Sequence, residues 1–271
     1  MTGQDAPTLY ASIAGIGFWT RGLHNWEAAR AFVTTGVRPA EAPTRPSPQL
    51  LAPNERRRAP ETVAVALEVA LAACAAADRD PALLPSVFTS THGDLAITDY
   101  ICATLANAPR TLSPTKFHNS VHNAAAGYWT IGAGAQAPAT AISAYDASFA
   151  QGLLEALVQI ATGTEAILLV AYDGNAPGPL GRTSASSGLL GGALLLVRDP
   201  VPGTIRLALR LGNAASAVES DTVADGPLAQ LAAGNAMAPM LPVFEALALR
   251  AAKVSLTAGA GRVMHLEFDH G

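Results

Sequence analysis

An unbroken apolar run near the middle of the chain, Glu165 to Tyr172 (EAILLVAY), restricts the possible fold more than any other segment. A strand of this kind is buried on both faces, so it requires helices above and below its sheet. Further strand candidates lie at residues 10–17, 86–90, 139–144, 188–198, 204–211 and 262–268. Helix candidates alternate with them, at residues 25–36, 60–78, 94–107, 146–162 and 240–253. The alternation predicts an α/β layered fold.

Capping residues mark the limits of two of these helices. Asn25 is a predicted N-cap and Gly36 a predicted stop for the first helix, and Asp94 is a plausible N-cap for the third. Between the first and second helices, the prolines from Pro39 to Pro53 exclude regular structure.

The composition favours one globular unit with a subunit interface. The chain has 271 residues, enough to bury a sizeable core in one large domain or two small ones. Half of the residues are hydrophobic and only 14% are charged, which is less polar cover than a monomer of this size usually has. No repeat, low-complexity tail or second independent domain is indicated.

The charge distribution argues against nucleic acid as a partner. The formal net charge is −4, whereas phosphate neutralisation requires clustered Lys and Arg. The one basic run, Arg56 to Arg58, is isolated and is interpreted as a solvated helix face or an ion-pair site.

The cysteines and the apolar segments favour a cytoplasmic protein with no membrane association. Cys74 and Cys102 are far apart and have no zinc-type spacing, as expected of reduced packing residues. No secretory signal is evident at the N-terminus, and the most apolar helix candidate, at residues 62–77, is too short to span a bilayer.

Glycine pairs at Gly15–Gly17 and Gly132–Gly134 do not indicate a dinucleotide site. Neither completes the GxGxxG pattern before a helix with an acidic residue at the end of the next strand. We therefore expect no cofactor.

Two histidines, His118 and His122, have the i,i+4 spacing that would place both on one helix face. A metalloprotease of the zincin type requires Glu after the first His, and Asn119 stands there instead. No metal site is expected, and hydrogen-bonded core or interface histidines are the preferred interpretation.

The segment Ala137 to Leu157 predicts a strand, a sharp turn of small residues and a helix that begins at Asp146. A side chain at the start of such a helix points into a cavity beside free N–H groups and the positive end of the helix dipole. A nucleophile there would be activated, but Asp146 is explained as a simple N-cap.

From Ser113 to Leu153 the sequence resembles the central segment of the β-ketoacyl-acyl-carrier-protein (ACP) synthases, or ketosynthases. That family has Ser-Pro, Asn before Ala-Gly, Gly-Pro-Ser, a strand and then Thr-Ala-Cys-x-Ser. When the family pattern is aligned with this sequence without a gap, the matching residues are Ser113, Pro114, Asn123, Ala126, Gly127, Pro138 and Ser148. The nucleophilic Cys of the family falls on Asp146. Weaker matches extend the resemblance over Tyr10 to Arg198.

The resemblance implies a thiolase-like layered α-β-α fold with a shortened second half. It describes one ketosynthase-like domain over residues 1–271, in which residues 1–198 resemble the N-terminal half and 199–271 a truncated C-terminal half. The family also uses two histidines from its second half. After residue 198 only His265 and His270 are found, in neither case in the family's motif. Condensation by this chain alone is not expected.

A ketosynthase-like chain without the cysteine is similar to the chain length factors of polyketide systems, including those of aryl polyene and xanthomonadin-type pigment clusters. The resemblance implies a heterodimer with a full-length, active β-ketoacyl-ACP synthase, and contact with acyl carrier protein through that complex. It assigns the interface to the strand Ala139, Thr140, Ala141, Ile142 and Ser143. It assigns Lys116, Phe117 and His118 to interface or chain-length positions.

Two enzymatic alternatives remain. One is a malonyl-ACP decarboxylase that primes chains, although family members of that type carry Gln at the nucleophile position and keep the histidines. The other is an unrelated hydrolase with Asp146 as nucleophile and His118 or His122 as base.

Overall fold

A computed structural model describes residues 7–213 and 226–271. Eight strands of the described residues form one mixed sheet, in the order β3-β2-β4-β5-β1-β6-β8-β7. The strands are β1 (Leu9–Thr20), β2 (Ser86–Thr89), β3 (Ala139–Ile142), β4 (Ala166–Asp173), β5 (Leu190–Val197), β6 (Ile205–Asn213), β7 (Lys253–Thr257) and β8 (Arg262–Asp269). β2 pairs in parallel with β3 and β4, and the other pairs are antiparallel.

Ten α-helices are described. They are α1 (Trp26–Thr35), α2 (Pro53–Arg58), α3 (Glu61–Ala76), α4 (Leu95–Asn107), α5 (Pro114–His118), α6 (Ala124–Ala133), α7 (Ser148–Ala161), α8 (Leu180–Thr183), α9 (Pro227–Ala232) and α10 (Leu241–Leu249). None of the helices in the described residues is long and apolar enough to cross a membrane.

The helices cover both faces of the sheet and form two hydrophobic cores. On one face, residues of α3 and α6, such as Leu67 and Trp129, pack with Phe88 of β2. On the other, residues of α1, α7 and α10 pack around Phe149 and Phe244. β4 contributes alternate residues to the two cores, which confirms that this strand is buried on both faces. The α/β fold with an α-β-α layer order is therefore confirmed.

β1 joins the two parts of the sheet. Its residues 12–20 pair with β5, and its residues 9–13 pair with β6 on the opposite edge. The register with β5 shifts between Ile13 and Gly15, as at a β-bulge, where a strand bends. β6, β8 and β7 then complete the sheet. Residues 199–271, which the resemblance describes as a shortened half, supply these three strands, and residues 214–225 of this range lie outside the described residues.

Two of the glycines considered for a dinucleotide loop serve close packing instead. A Cβ atom on Gly15 would lie 2.1 Å from the carbonyl oxygen of Ala73, and one on Gly17 would lie 2.0 Å from that of Val69. Only glycine permits α3 to lie this close to β1.

Most predicted element limits are confirmed within a few residues. The Asn25 carboxamide accepts a hydrogen bond from the Ala28 N–H at 2.8 Å, and Gly36 ends α1 with φ of 73°. The Asp94 carboxylate accepts from the Ile97 N–H at 2.9 Å, as an N-cap of α4.

The predicted helix over residues 240–253 is too long. α10 ends at Leu249 because Arg250 adopts the left-handed conformation, with φ of 55°. Residues from Lys253 onward form β7, whose buried Val254 and Leu256 alternate with more exposed neighbours. The sequence pattern did not predict this strand, the short helices α5, α8 and α9 or the Ala-rich helix α6.

Candidate functional site

The elbow between β3 and α7 has the predicted strand–turn–helix form. A 3-10 turn over Tyr145–Ala147 separates the strand from the helix, and Tyr145 has the strained φ of 54°. The Ser148 hydroxyl donates a hydrogen bond to the Tyr145 carbonyl at 2.6 Å and accepts one from the Ala144 N–H at 2.9 Å. The two hydrogen bonds of Ser148 therefore stabilise the elbow.

Asp146 does not cap α7, so that prediction is wrong. The 3-10 turn moves the start of α7 to Ser148, and the residue in the N-cap position is Ala147. Asp146 is exposed, and its carboxylate makes no hydrogen bond or ion pair with the described residues. It is therefore free to face the adjoining cavity.

The cavity at the elbow has a volume of about 440 Å³. Tyr145 and Asp146 line it from the elbow, Thr91 and His92 from the loop after β2, and Asn235 from the segment after α9. The rings of His92 and Tyr145 lie 6.4 Å apart in an edge-on arrangement. The cavity lies at the carboxyl ends of parallel strands, where α/β sheets commonly bind ligands.

A buried carboxylate organises the loops behind this cavity. Asp173, 1% exposed, accepts hydrogen bonds from the Ser90 hydroxyl at 2.6 Å and from the Thr91 N–H at 2.9 Å. The Asn235 amide donates to the Asp173 carbonyl at 3.2 Å. Burial raises the pKa of the Asp173 carboxyl, since desolvation disfavours its charged form. The network fixes the ends of β2 and β4 against each other.

Sequence reasoning missed His92, Asp173 and Asn235. A signal for the first two was present, because each follows or ends a buried strand at the carboxyl edge of the sheet. Asn235 has no such signal, since its position depends on a long-range contact.

The histidines considered from the sequence do not line the elbow cavity. α5 ends at His118, so His118 and His122 do not share a helix. His122 is half-buried and its Nε2 lies 2.8 Å from the Ser90 carbonyl, as expected of a hydrogen-bonded histidine. His265 and His270 belong to the end of the sheet opposite β3 and bind Ser255 and the Ala251 carbonyl.

The two cysteines lie elsewhere. Cys74 is buried in α3, where desolvation raises its thiol pKa to about 12, and Cys102 is exposed on α4. Neither lines the elbow cavity.

The predicted chain-length residues Lys116, Phe117 and His118 are all exposed on α5. Phe117 is 60% exposed, which is unusual for an aromatic side chain. The Lys116 ammonium lies 5.5 Å from the centre of the Tyr100 ring. α5 therefore presents both apolar and cationic side chains at the surface.

The predicted interface strand, β3, is at an edge of the sheet. The carbonyls of Pro138 and Ile142 accept hydrogen bonds from the Ser86 and Ser90 N–H groups of the β2 side. By alternation along the strand, the N–H and C=O groups of Ala139 and Ala141 point away from β2. The described part of the chain provides no partner for this edge.

The fold of this chain is similar to that of several solved structures. One is a chain of the complex of the ketosynthase ApeO with its chain length factor ApeC from Xenorhabdus doucetiae, with a TM-score of 0.73 and 23% identity over 96% of this chain and 99% of that chain. The ishigamide ketosynthase/chain length factor gives a TM-score of 0.74 and 15% identity over 96% and 99%. The type II polyketide complex AntDE:AntF gives 0.71 and 13% over 97% and 100%.

A sequence search of curated proteins finds no match. The family model described as the β-ketoacyl synthase N-terminal domain matches residues 24–265, which is most of the chain. The chain therefore belongs to the β-ketoacyl synthase family.

Proposed function

We propose that this chain is a non-catalytic, chain length factor-like subunit that pairs with an active β-ketoacyl-ACP synthase. The residue at the elbow carries the proposal. In the gapless match to the family, the nucleophilic Cys falls on Asp146. Acyl transfer requires a thiolate to form the thioester intermediate, and a carboxylate does not supply one. The ketosynthase and chain length factor complexes with a similar fold support the same role.

Exposed apolar side chains support a protein partner on the side of the elbow and β3. Eleven large hydrophobic residues are exposed among the described residues, and five of them lie between positions 105 and 145. These five are Leu105, Phe117, Val121, Ile131 and Tyr145. α4 is also poorly covered by the rest of the chain, since Ile97 is its one buried residue. Exposed apolar side chains of this density are typical of a protein interface.

We assign the edge strand Ala139–Ser143 to pairing with the ketosynthase. An unpaired strand edge offers main-chain hydrogen bonds to a partner strand. α5 would then lie near the same interface, with Lys116, Phe117 and His118 in positions that limit the length of the acyl chain.

The cellular role follows from that pairing. We place the complex in the cytoplasm, in an aryl polyene or related polyketide elongation system that uses acyl carrier protein. The whole described chain then acts as one ketosynthase-like domain, with residues 199–271 as its shortened half.

One observation keeps the decarboxylase alternative open. His92 lines the cavity with Asp146, so a polar group of malonyl-ACP has a hydrogen-bond partner there. Release of carbon dioxide from malonyl-ACP by the isolated chain, lost on changing His92 to Ala, would favour that alternative.

The experiment that tests the proposed function uses Asp146→Ala in the complex with a co-expressed ketosynthase. We expect the condensation rate to change by less than about twofold, because Asp146 takes no part in acyl transfer. Changing the nucleophilic cysteine of the partner to Ala serves as the control and should abolish the reaction. A large loss of activity in the Asp146→Ala complex would contradict the proposal.

A further inference from the structure

A second cavity, of about 480 Å³, lies beside the first turns of α3 and α4. It shares no lining residue with the elbow cavity. Two cations line it, Arg58 at the end of α2 and Lys116 on α5. No described carboxylate is within ion-pair distance of either one. Two cations without a carboxylate partner at one cavity favour a negatively charged occupant.

A buried amide at the same cavity has an unused donor. Asn119 is 4% exposed, and its side-chain oxygen accepts a hydrogen bond from the Tyr128 hydroxyl at 3.2 Å. Its amide nitrogen has no acceptor in the part of the chain that the structure describes. Because Asn119 lines the cavity, this nitrogen is available to donate a hydrogen bond to an occupant.

The start of α3 adds further donors. Its N-cap residue is Pro60, and no side chain caps the first turn. The free N–H groups and the positive dipole end of this 16-residue helix favour an anion nearby.

The two carboxylates of the lining have different effects. Asp94 is already engaged, since it accepts hydrogen bonds from the Ile97 N–H and from the Thr62 hydroxyl at 2.7 Å. Glu61 is exposed, forms no ion pair among the described residues, and opposes a bound anion by charge repulsion.

We propose that this cavity binds a carboxylate or phosphate group, held by Arg58, Lys116 and the Asn119 amide. The inference concerns a site distinct from the elbow and does not require that Asp146 be non-catalytic.

The test is an NMR titration of the full chain, carried on a solubility tag, with inorganic phosphate and separately with acetate at constant ionic strength. We expect a saturable shift of the Asn119 side-chain amide. Arg58→Gln and Lys116→Gln should each weaken binding about tenfold, as expected for loss of a charge-assisted hydrogen bond. Glu61→Gln should strengthen binding about threefold by removing a repulsive charge.

The matched control is Arg57→Gln, which removes an equal charge from a neighbouring exposed residue that does not line the cavity. Its affinity should equal that of the wild type. An Asn119 amide that does not shift, or an equal loss in Arg57→Gln and Arg58→Gln, would overturn the proposal.

Repeating the titration on the complex with the ketosynthase distinguishes two sources of the anion. Binding retained in the complex identifies a freely diffusing anion. Binding lost there identifies a carboxylate of the partner subunit as the natural occupant. The proposed function is tested separately, by the Asp146→Ala complex. Failure of the anion site and failure of the proposed function are therefore distinguishable.

Discussion

Two aspartates at the same edge of the sheet differ completely in their surroundings. Asp146 is exposed and has no described hydrogen-bond partner, whereas Asp173 is buried and accepts from Ser90 and Thr91. The sequence singled out Asp146 because the elbow pattern is local. Asp173 escaped notice because its donors are more than 80 positions away in the chain.

Removing the buried carboxylate should destabilise the fold. Asp173→Ala leaves the Ser90 hydroxyl and the Thr91 N–H without an acceptor, so we expect the free energy of unfolding to fall by about 3 kcal/mol. Urea unfolding monitored by circular dichroism measures this change. Asp146→Ala, in an exposed position, should stay within about 0.5 kcal/mol of the wild type.

The contribution of Asp173 to the stability of the fold should depend on pH. Because burial raises its pKa in the folded state, ionisation of Asp173 reduces stability as the pH rises from the unfolded value of about 3.8 through the folded pKa. Asp173→Asn lacks this ionisation, so its stability deficit relative to the wild type should shrink between pH 4 and pH 7. A deficit that is constant over this range would contradict the assignment.

At the scale of elements, periodicity and capping predicted what depends on local sequence. The limits of α1 and α4 follow from Asn25, Gly36 and Asp94, and the buried character of β4 follows from its unbroken apolar run. β7 was missed because the left-handed turn at Arg250 has no glycine to mark it. α6 was missed because its Ala- and Gly-rich sequence lacks a clear polar face.

The edge strand β3 allows the pairing to be tested by one backbone change. Ala141→Pro removes an N–H that points away from β2, so the fold should be retained while pairing with the ketosynthase is lost. Ala141→Val keeps the N–H and should keep the pairing. Co-purification of the two chains and the circular dichroism of each variant provide the measurement. Normal pairing by Ala141→Pro would exclude β3 as the contact strand.

At the scale of the molecule, both faces of the sheet are covered, whereas its β3 edge is open. The two cores are closed by helices on both faces, while β3 ends the sheet with an open edge and nearby apolar residues. The α-β-α architecture was predictable from alternating strands and helices. The single continuous sheet was not, because the bulge in β1 and its pairing with both β5 and β6 are long-range features.

The mass of the assembly formed with a full-length, cysteine-bearing ketosynthase tests the proposed pairing most directly. Both chains are co-expressed, purified through a tag on this chain, and analysed by size-exclusion chromatography with light scattering. We predict a stable complex with one copy of each chain, and self-association or poor solubility when this chain is expressed alone. A well-behaved monomer that leaves the ketosynthase unbound would contradict the account.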